Sequence, residues 1–590
     1  MAPLNFDIHQ APKEINSTAR LGTLSIPGSQ PTDQHDTLGN KDAKKRVIET
    51  PGCFMYSIKG SVPHLTPDNM RLQDFGGVNV SLEQLLQNDQ PASFASKWPK
   101  FTLADYLHLQ DLILLCDLRD YVSPNPAEKL GPNTDRHVLL STPKGIRQLT
   151  LNDYLQVVRQ FRPDIVVAMA DNVSLEKVKE QQQQRKTEKQ SEAGQEAHAP
   201  GEKRIKKSIE RTLKWLDQIL LEREGKDGLA EDRKMEEEKR RKKEKKEKKR
   251  TLDSESTANA DKRQQLEAIQ PAMQTITTEP WSDVAVFAHV QGALLEQERI
   301  RSAVETSARQ GVDGFIIDAA SVLAIKNATT TATETSSLET KEEVLRLVKV
   351  SLDHLPLQKP RMVYGIQTPE DVLKAIALGV DLFDTSYPYQ LTEDGKASLY
   401  SFGDNVDAIP ADINSKNDNR WINLWDEEHA DKFVPILVGC ECYACKGGRH
   451  TRAYINHLLR THEMLATVLL ISHNMYQYSK FFFNVRKSIQ EGTFEKHSQA
   501  FHARFGVEPV RTGEKHEAQL VVEAALQKRN QRLEGPEGGV APAIVLGEGQ
   551  DKQEANGKKR PEVEGKEEAE EIEKKEKKAK KELQDNSADH

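Results

Sequence analysis

The chain has 590 residues, 37% hydrophobic and 29% charged, with 83 Lys and Arg against 91 Asp and Glu for a net charge of −8. That balance excludes a wholly packed protein, since part of the chain must be unpacked polar sequence, and it excludes a general attraction to nucleic acid, so any such contact needs a local basic face. No apolar run approaches the roughly 20 residues that span a bilayer, the N-terminus carries no secretory signal, and five cysteines with three of them clustered fit a reducing compartment and a metal site better than a disulfide framework; the expected location is the cytosol.

Residues 1–45 are a polar, variable N-terminal segment with one strand expected over 19–26. Residues 46–176 read as the first packed part, with a strand over 165–170; Cys53 and Cys116 lie in apolar surroundings, where cysteine acts as a small hydrophobe. The stretch 177–201, with its QQQQ run, lacks the apolar area to offset chain entropy and is expected to be disordered. In 202–221, Ile205, Ile209, Leu213, Leu216 and Leu220 recur at helical spacing and predict an amphipathic helix. Residues 222–278 are again expected to be disordered. Their EEEKRRKKEKKEKKR run interleaves both signs and reads as a solvated polyampholyte, with loose RNA attraction or nuclear localisation as the other reading.

Residues 279–435 read as a second packed part. Apolar runs at 284–290, 314–317, 362–366 and 380–383 alternate with helical patterns at 298–309, 341–355 and 369–378. Alternation of β-branched strands with helices predicts a parallel sheet covered by helices. It closes either as an open doubly wound sheet or as a (β/α)8 barrel; no G-x-G-x-x-G follows a strand, and an α/β fold with a TIM-type barrel is the expected form. Residues 436–534 contain Cys440-Glu-Cys442-Tyr-Ala-Cys445 and, in a helical stretch, His473. Three thiolates and an imidazole make a full tetrahedral zinc site with no open position, hence a structural one, and the ion would contribute folding energy directly. His450, His457 and His462 are the other possible fourth ligands. The aromatics Tyr476, Tyr478, Phe481, Phe482 and Phe483 fit either an interface or ordinary core, and Lys480, Arg486 and Lys487 either phosphate contacts or a solvated face. Residues 535–590 are a charged, disordered tail.

The residues CECYACKGGRHTRAYINHLL, with the later His473-Asn474, resemble the zinc subdomain of the tRNA-guanine transglycosylases, and the resemblance covers roughly 18–173 and 280–490. It implies a (β/α)8 barrel with a zinc subdomain, and one structural Zn2+ held by Cys440, Cys442, Cys445 and His473. The family's chemistry is base exchange at a wobble guanosine of tRNA: a carboxylate attacks the ribose anomeric carbon, guanine leaves, and an incoming base displaces the carboxylate, as in a retaining glycosidase. The base must leave its stack.

By position in the family motifs, Asp384 in GVDLFD corresponds to the nucleophile, Asp117 to the acid/base carboxylate, Asp171 to the carboxylate that reads the base, and Gln291 in HVQGA to a pocket glutamine. Other positions depart from the pattern. Leu118 and Arg119 stand where two close-approach glycines belong, Asp318-Ala319-Ala320 replaces a Gly-Gly-Leu, and Pro388-Tyr389-Gln390 leads into acidic residues where basic ones grip the anticodon loop. The resemblance is therefore nearer to the non-catalytic members that pair with a catalytic paralogue as a heterodimer and meet tRNA through that complex, exchanging guanine for queuine. It implies no catalytic residue here, with Asp384, Asp171 and Asp117 vestigial, and a cytosolic protein at most peripheral at the mitochondrial outer membrane. Two other readings stay open: a self-sufficient transglycosylase using Asp384, and a zinc-stabilised RNA-binding scaffold.

Overall fold

The computed structural model describes residues 3–11, 17–27, 46–86, 102–122, 133–142, 145–173, 176–177, 197–198, 201–230, 232–234, 238, 280–323, 334–366, 368–403 and 420–505. The remainder of the two charged inserts, and the tail, lie outside the described residues.

Eight parallel strands close into a barrel: β1 (Gly52–Tyr56), β2 (Gly77–Ser81), β3 (Ile113–Asp117), β4 (Ile165–Val167), β5 (Ala285–Val290), β6 (Gly314–Asp318), β7 (Arg361–Tyr364) and β8 (Leu382–Asp384), each paired with its neighbours in chain order and β8 with β1. Of the two closures compatible with the sequence, the barrel is the one formed. Its strands are apolar on both faces because both faces are covered. Phe54, Ile113, Leu115, Ile165, Val167, Phe287, Ile316, Met362 and Leu382 fill the interior. Their alternate neighbours, such as Met55, Leu114, Val166, Val286, Phe315 and Phe383, join the outer core.

A three-stranded antiparallel sheet (Asn5–Gln10, Leu21–Ile26 and Arg46–Thr50) adds Leu24, Ile26 and Ile48 to the interior cluster. It is fastened to the N-terminal ends of the strands by Arg46–Asp164 just before β4 and Arg20–Asp381 just before β8, both at 2.6 Å. The strand expected over 19–26 is its central strand. With that end shut, the C-terminal end is the barrel's open mouth, where barrel enzymes carry their sites.

The main helices are α1 (Leu151–Phe161), α2 (Glu202–Arg223), α3 (Glu296–Ser307), α4 (Glu334–Leu352), α5 (Pro369–Ala377), α6 (Ser386–Glu393), α7 (Arg452–Arg460), α8 (Met464–Glu491) and α9 (Phe494–Phe505). Local chemistry sets their starts: Thr150 and Asp153 form a capping box on α1, and Thr368 caps α5 with Pro369 in its first turn. The helix expected over 202–221 runs on to Arg223. Glu176–Lys177 pairs antiparallel with Ala197–His198, so the two ends of the 177–201 segment are side by side.

A smaller core, with Ala397, Leu399, Ile422, Leu424, Ile455, Leu458, Leu469 and Leu470, holds the C-terminal module. The 28-residue α8 belongs to both units. Its early turns face this module, and Tyr478, Phe481, Phe482, Val485 and Ile489 further along pack into the barrel's outer core. No helix among the described residues is long and apolar enough to cross a membrane.

Candidate metal centre and the barrel mouth

Cys440, Cys442, Cys445 and His473 are brought together, all buried, with one donor atom from each within 4.8 Å of the others. His473 Nδ1 is 3.7, 3.4 and 3.4 Å from the sulfurs of Cys440, Cys442 and Cys445. Metal–sulfur and metal–nitrogen bonds of about 2.3 and 2.0 Å at tetrahedral angles give an edge of about 3.5 Å, so the spacing can take a metal ion between the four donors.

A tight turn supplies the thiolates. Cys445 and Lys446 both donate main-chain N–H to the Cys442 carbonyl, and Gly447 and Gly448 follow at φ 67° and 65°, a left-handed pair that glycine takes without strain. The imidazole comes from α8. Its Nε2–H donates to the Ser398 carbonyl at 2.8 Å and its Nδ1 faces the sulfurs; in the neutral ring, the form that a metal binds, this bond puts the lone pair on Nδ1. Asn474 fixes the same strand, accepting from Ser398 N at 2.9 Å and donating to Lys396 O at 2.9 Å, and Gln477 Nε2 donates to Cys440 Sγ at 3.2 Å. Hydrogen bonds from Cys442 and Cys445 hold the Cys440 thiol well below its usual value. Burial opposes a charge on His473, yet Cys440 and Cys445 outweigh it and push the imidazole up to about 10. Cys440 and Cys445 push the Cys442 thiol the opposite way, well above its usual value.

His450, His457 and His462 are not in this group. His450 lies between Tyr443 and Tyr454, with ring centroids 6.1 and 5.8 Å away, and His462 packs near Trp425. Around the module Phe433, Val438 and Met464 are 79%, 68% and 83% exposed, and Val434, Tyr443, Tyr454 and Leu465 are exposed beside them.

At the mouth, Asp117, Asp318, Tyr364 and Asp384 end β3, β6, β7 and β8, and Asp171 and Gln291 lie just beyond β4 and β5. The three sequence-predicted carboxylates Asp117, Asp171 and Asp384 are thus at one end of the barrel, each with internal partners. Asp171 is fully buried. Arg204 of α2 forks onto it, Nη2 to Oδ1 at 2.7 Å and Nη1 to Oδ2 at 2.8 Å; Arg211 Nη1 and Asn133 Nδ2 each add a bond at 2.8 Å. Burial raises its pKa, but the hydrogen bonds and charge of Arg204, with Arg211 and Asn133, overcome this and hold it below the usual carboxylate range. Gln291 Nε2 donates to Thr212 Oγ1 at 2.7 Å and to Ser208 O at 3.3 Å, so α2 engages both Asp171 and Gln291.

Asp117 accepts from Arg119 N at 3.3 Å, and burial pushes its carboxyl up to about 7. Asp384 accepts from Ser386 N at 2.8 Å, and burial raises it too. Tyr121 and Tyr364 stack across the mouth with centroids 4.6 Å apart. Between Tyr56, Asn79, Arg119, Tyr121, Tyr364 and Asp384 lies a cavity of about 10 Å³, the size of one water against the roughly 300–1,000 Å³ of small-molecule sites. A wider cleft of about 440 Å³ is lined by Ile58, Val62, His64, Leu65, Tyr389 and Glu393, with His64 on Glu393 at 2.6 Å.

Sequence reasoning missed Arg204, Arg211 and Asn133. A signal existed: Arg204, Ser208, Arg211 and Thr212 recur at helical spacing beside the apolar positions of α2. Of the suggested phosphate contacts, Arg486 is tied to Glu49 at 3.1 Å and the Pro51 carbonyl at 3.0 Å. Tyr478, Phe481 and Phe482 are buried core, while Phe483 is 55% exposed.

A family model described as queuine tRNA-ribosyltransferase matches residues 16–235 and 229–506. The chain is 27% identical over 480 residues to a Homo sapiens protein named queuine tRNA-ribosyltransferase accessory subunit 2, covering 77% of this chain and 93% of the human one. Proteins of the same name from Xenopus laevis and Danio rerio are 28% and 27% identical, covering 81% and 75% of this chain and 95% and 89% of theirs.

Proposed function

The chain belongs to the queuine tRNA-ribosyltransferase family, and from that premise we propose that it is the non-catalytic subunit of a heterodimer whose other, catalytic queuine tRNA-ribosyltransferase subunit exchanges guanine for queuine at the anticodon wobble position of tRNA. The observation that carries this reading is the contrast within one chain: a complete Cys3His group beside a mouth whose cavity is about 10 Å³. That cavity is too small for a purine with the side chains placed as they are, and on this reading the barrel serves by shape. Cys440, Cys442, Cys445 and His473 hold one structural Zn2+, which locks the 440–448 turn to α8 and through it to the barrel. The exposed apolar side chains around that module, Phe433, Val438, Tyr443, Tyr454 and Met464, supply the apolar core that a stable subunit interface needs. tRNA is met through the complex. A cytosolic location, at most peripheral at the mitochondrial outer membrane, goes with this role, and fractionation of the tagged chain tests it.

The decisive experiment measures labelled queuine incorporation into tRNA by the chain alone, by its catalytic paralogue alone and by the two together. The expected result is turnover only when the catalytic paralogue is present, with equal amounts of both chains in the active complex. Turnover by the lone chain that Asp384→Asn abolishes would replace this reading with the self-sufficient enzyme.

A further inference from the structure

Asp171 accepts four side-chain hydrogen bonds, from Arg204 twice, Arg211 and Asn133, which uses the whole acceptor capacity of a carboxylate. The Arg204 contribution has a particular shape: two parallel N–H groups from one planar edge, one to each oxygen. A ring bearing a ring N–H next to an exocyclic amine, as guanine does, offers a carboxylate the same pair of donors. Arg204 also comes from outside. It lies in the first turn of α2, its side chain is 19% exposed, and the carboxylate beneath it is fully buried. Gln291, the next polar group at that side of the mouth, is turned to Thr212 and Ser208 of the same helix.

We propose that Arg204 is an internal ligand mimic: α2 lays a guanidinium where the donor edge of a guanine-type base would sit, so that this barrel is closed to free base by its own side chain. The inference rests on reading the chain as the non-catalytic member of a pair, and it adds a reason for that role. In a two-barrel assembly only the partner's pocket then takes up base, and this subunit does not sequester it.

The test uses the full chain, alone and in complex, in equilibrium dialysis against radiolabelled guanine. The variants are Arg204→Ala, in which Arg211 still pairs with Asp171, and Arg204→Ala with Arg211→Leu. Bound metal and pairing with the catalytic subunit report folding. The wild-type chain alone is expected to retain no guanine, and the variants to retain it at least about tenfold more tightly, displaced by unlabelled guanine and not by adenine. A folded Arg204→Ala chain that retains no more guanine than wild type overturns the proposal, because the fork is then only an internal ion pair. Failure of both variants to fold overturns it as well, since a mimic must be separable from the core. These results leave the non-catalytic reading standing; guanine retained by the lone wild-type chain would end both.

Discussion

The Cys3His module and the barrel mouth are two clusters of buried polar side chains with opposite solutions to the same problem. A buried polar group must find a partner. In the module four donors converge on one point and face each other at 3.4–3.7 Å from the histidine, an arrangement made sense of by a cation in the middle. At the mouth the carboxylates are held separately, each by its own neighbours: Asp171 by arginines of α2, Asp384 by the main chain of Ser386, and Asp117 through Oδ1 by that of Arg119, its buried Oδ2 being left without a hydrogen-bond partner. Convergent groups leave a place for something else, and groups paired within the chain do not. The comparison teaches that retained residue identities are a weak guide to retained chemistry, because what surrounds a carboxylate decides whether it can receive anything.

The largest effect that would break this contrast lies in the module. Cys442→Ser should lose the metal and, since structural ions contribute on the order of 10 kcal/mol in small zinc modules, unfold the 440–448 turn and cut heterodimer yield. Metal analysis and co-purification read this, and retention of both would remove the convergent half of the comparison. Next is Asp171→Leu, which leaves Arg204 and Arg211 facing an apolar group; stranding part of a buried ion pair costs about 3–5 kcal/mol, seen as a lowered urea midpoint.

A smaller effect concerns Asp117, whose carboxyl burial pushes up from its ordinary 3.8 to about 7. The folded chain keeps a proton there that the unfolded chain has released, so this group's contribution to stability is full below about pH 4 and is lost as pH rises toward 7. Asp117→Asn should therefore flatten that part of the stability–pH profile and gain on the order of 1–3 kcal/mol at pH 8; an unchanged profile would mean that the carboxyl is solvated. The smallest effect is expected from Asp384→Asn in the heterodimer, where queuine incorporation should stay within about twofold of wild type. A loss of orders of magnitude would make the mouth of this chain a working site.

The sequence was a good guide where the physics is local or periodic. Alternating apolar runs predicted the strand–helix order, and the Cys440–Cys445 spacing predicted a turn whose sulfurs converge, as they do on His473 Nδ1. It was a poor guide where partners are distant. Arg204 precedes the apolar face of α2 and reads as a solvated lysine-rich turn; only the fold carries it to Asp171, 33 positions away. The aromatics of α8 had two readings in sequence, and packing against the barrel decided for core in Tyr478, Phe481 and Phe482. Arg486 looked free for phosphate and is held by Glu49.

What the sequence determined by itself was the kind of sheet, the helix periods and the trio of clustered cysteines, because each follows from the spacing of residues along a few turns or strands of chain; which histidine meets those cysteines needed the fold. Closure into a barrel, the plugging of its N-terminal end by the antiparallel sheet of 5–10, 21–26 and 46–50, and the pairing of Asp171 and Gln291 with α2 were decided only in three dimensions. A carboxylate's usefulness depends on the groups that reach it across the fold, and the order of residues along the chain does not record those distances.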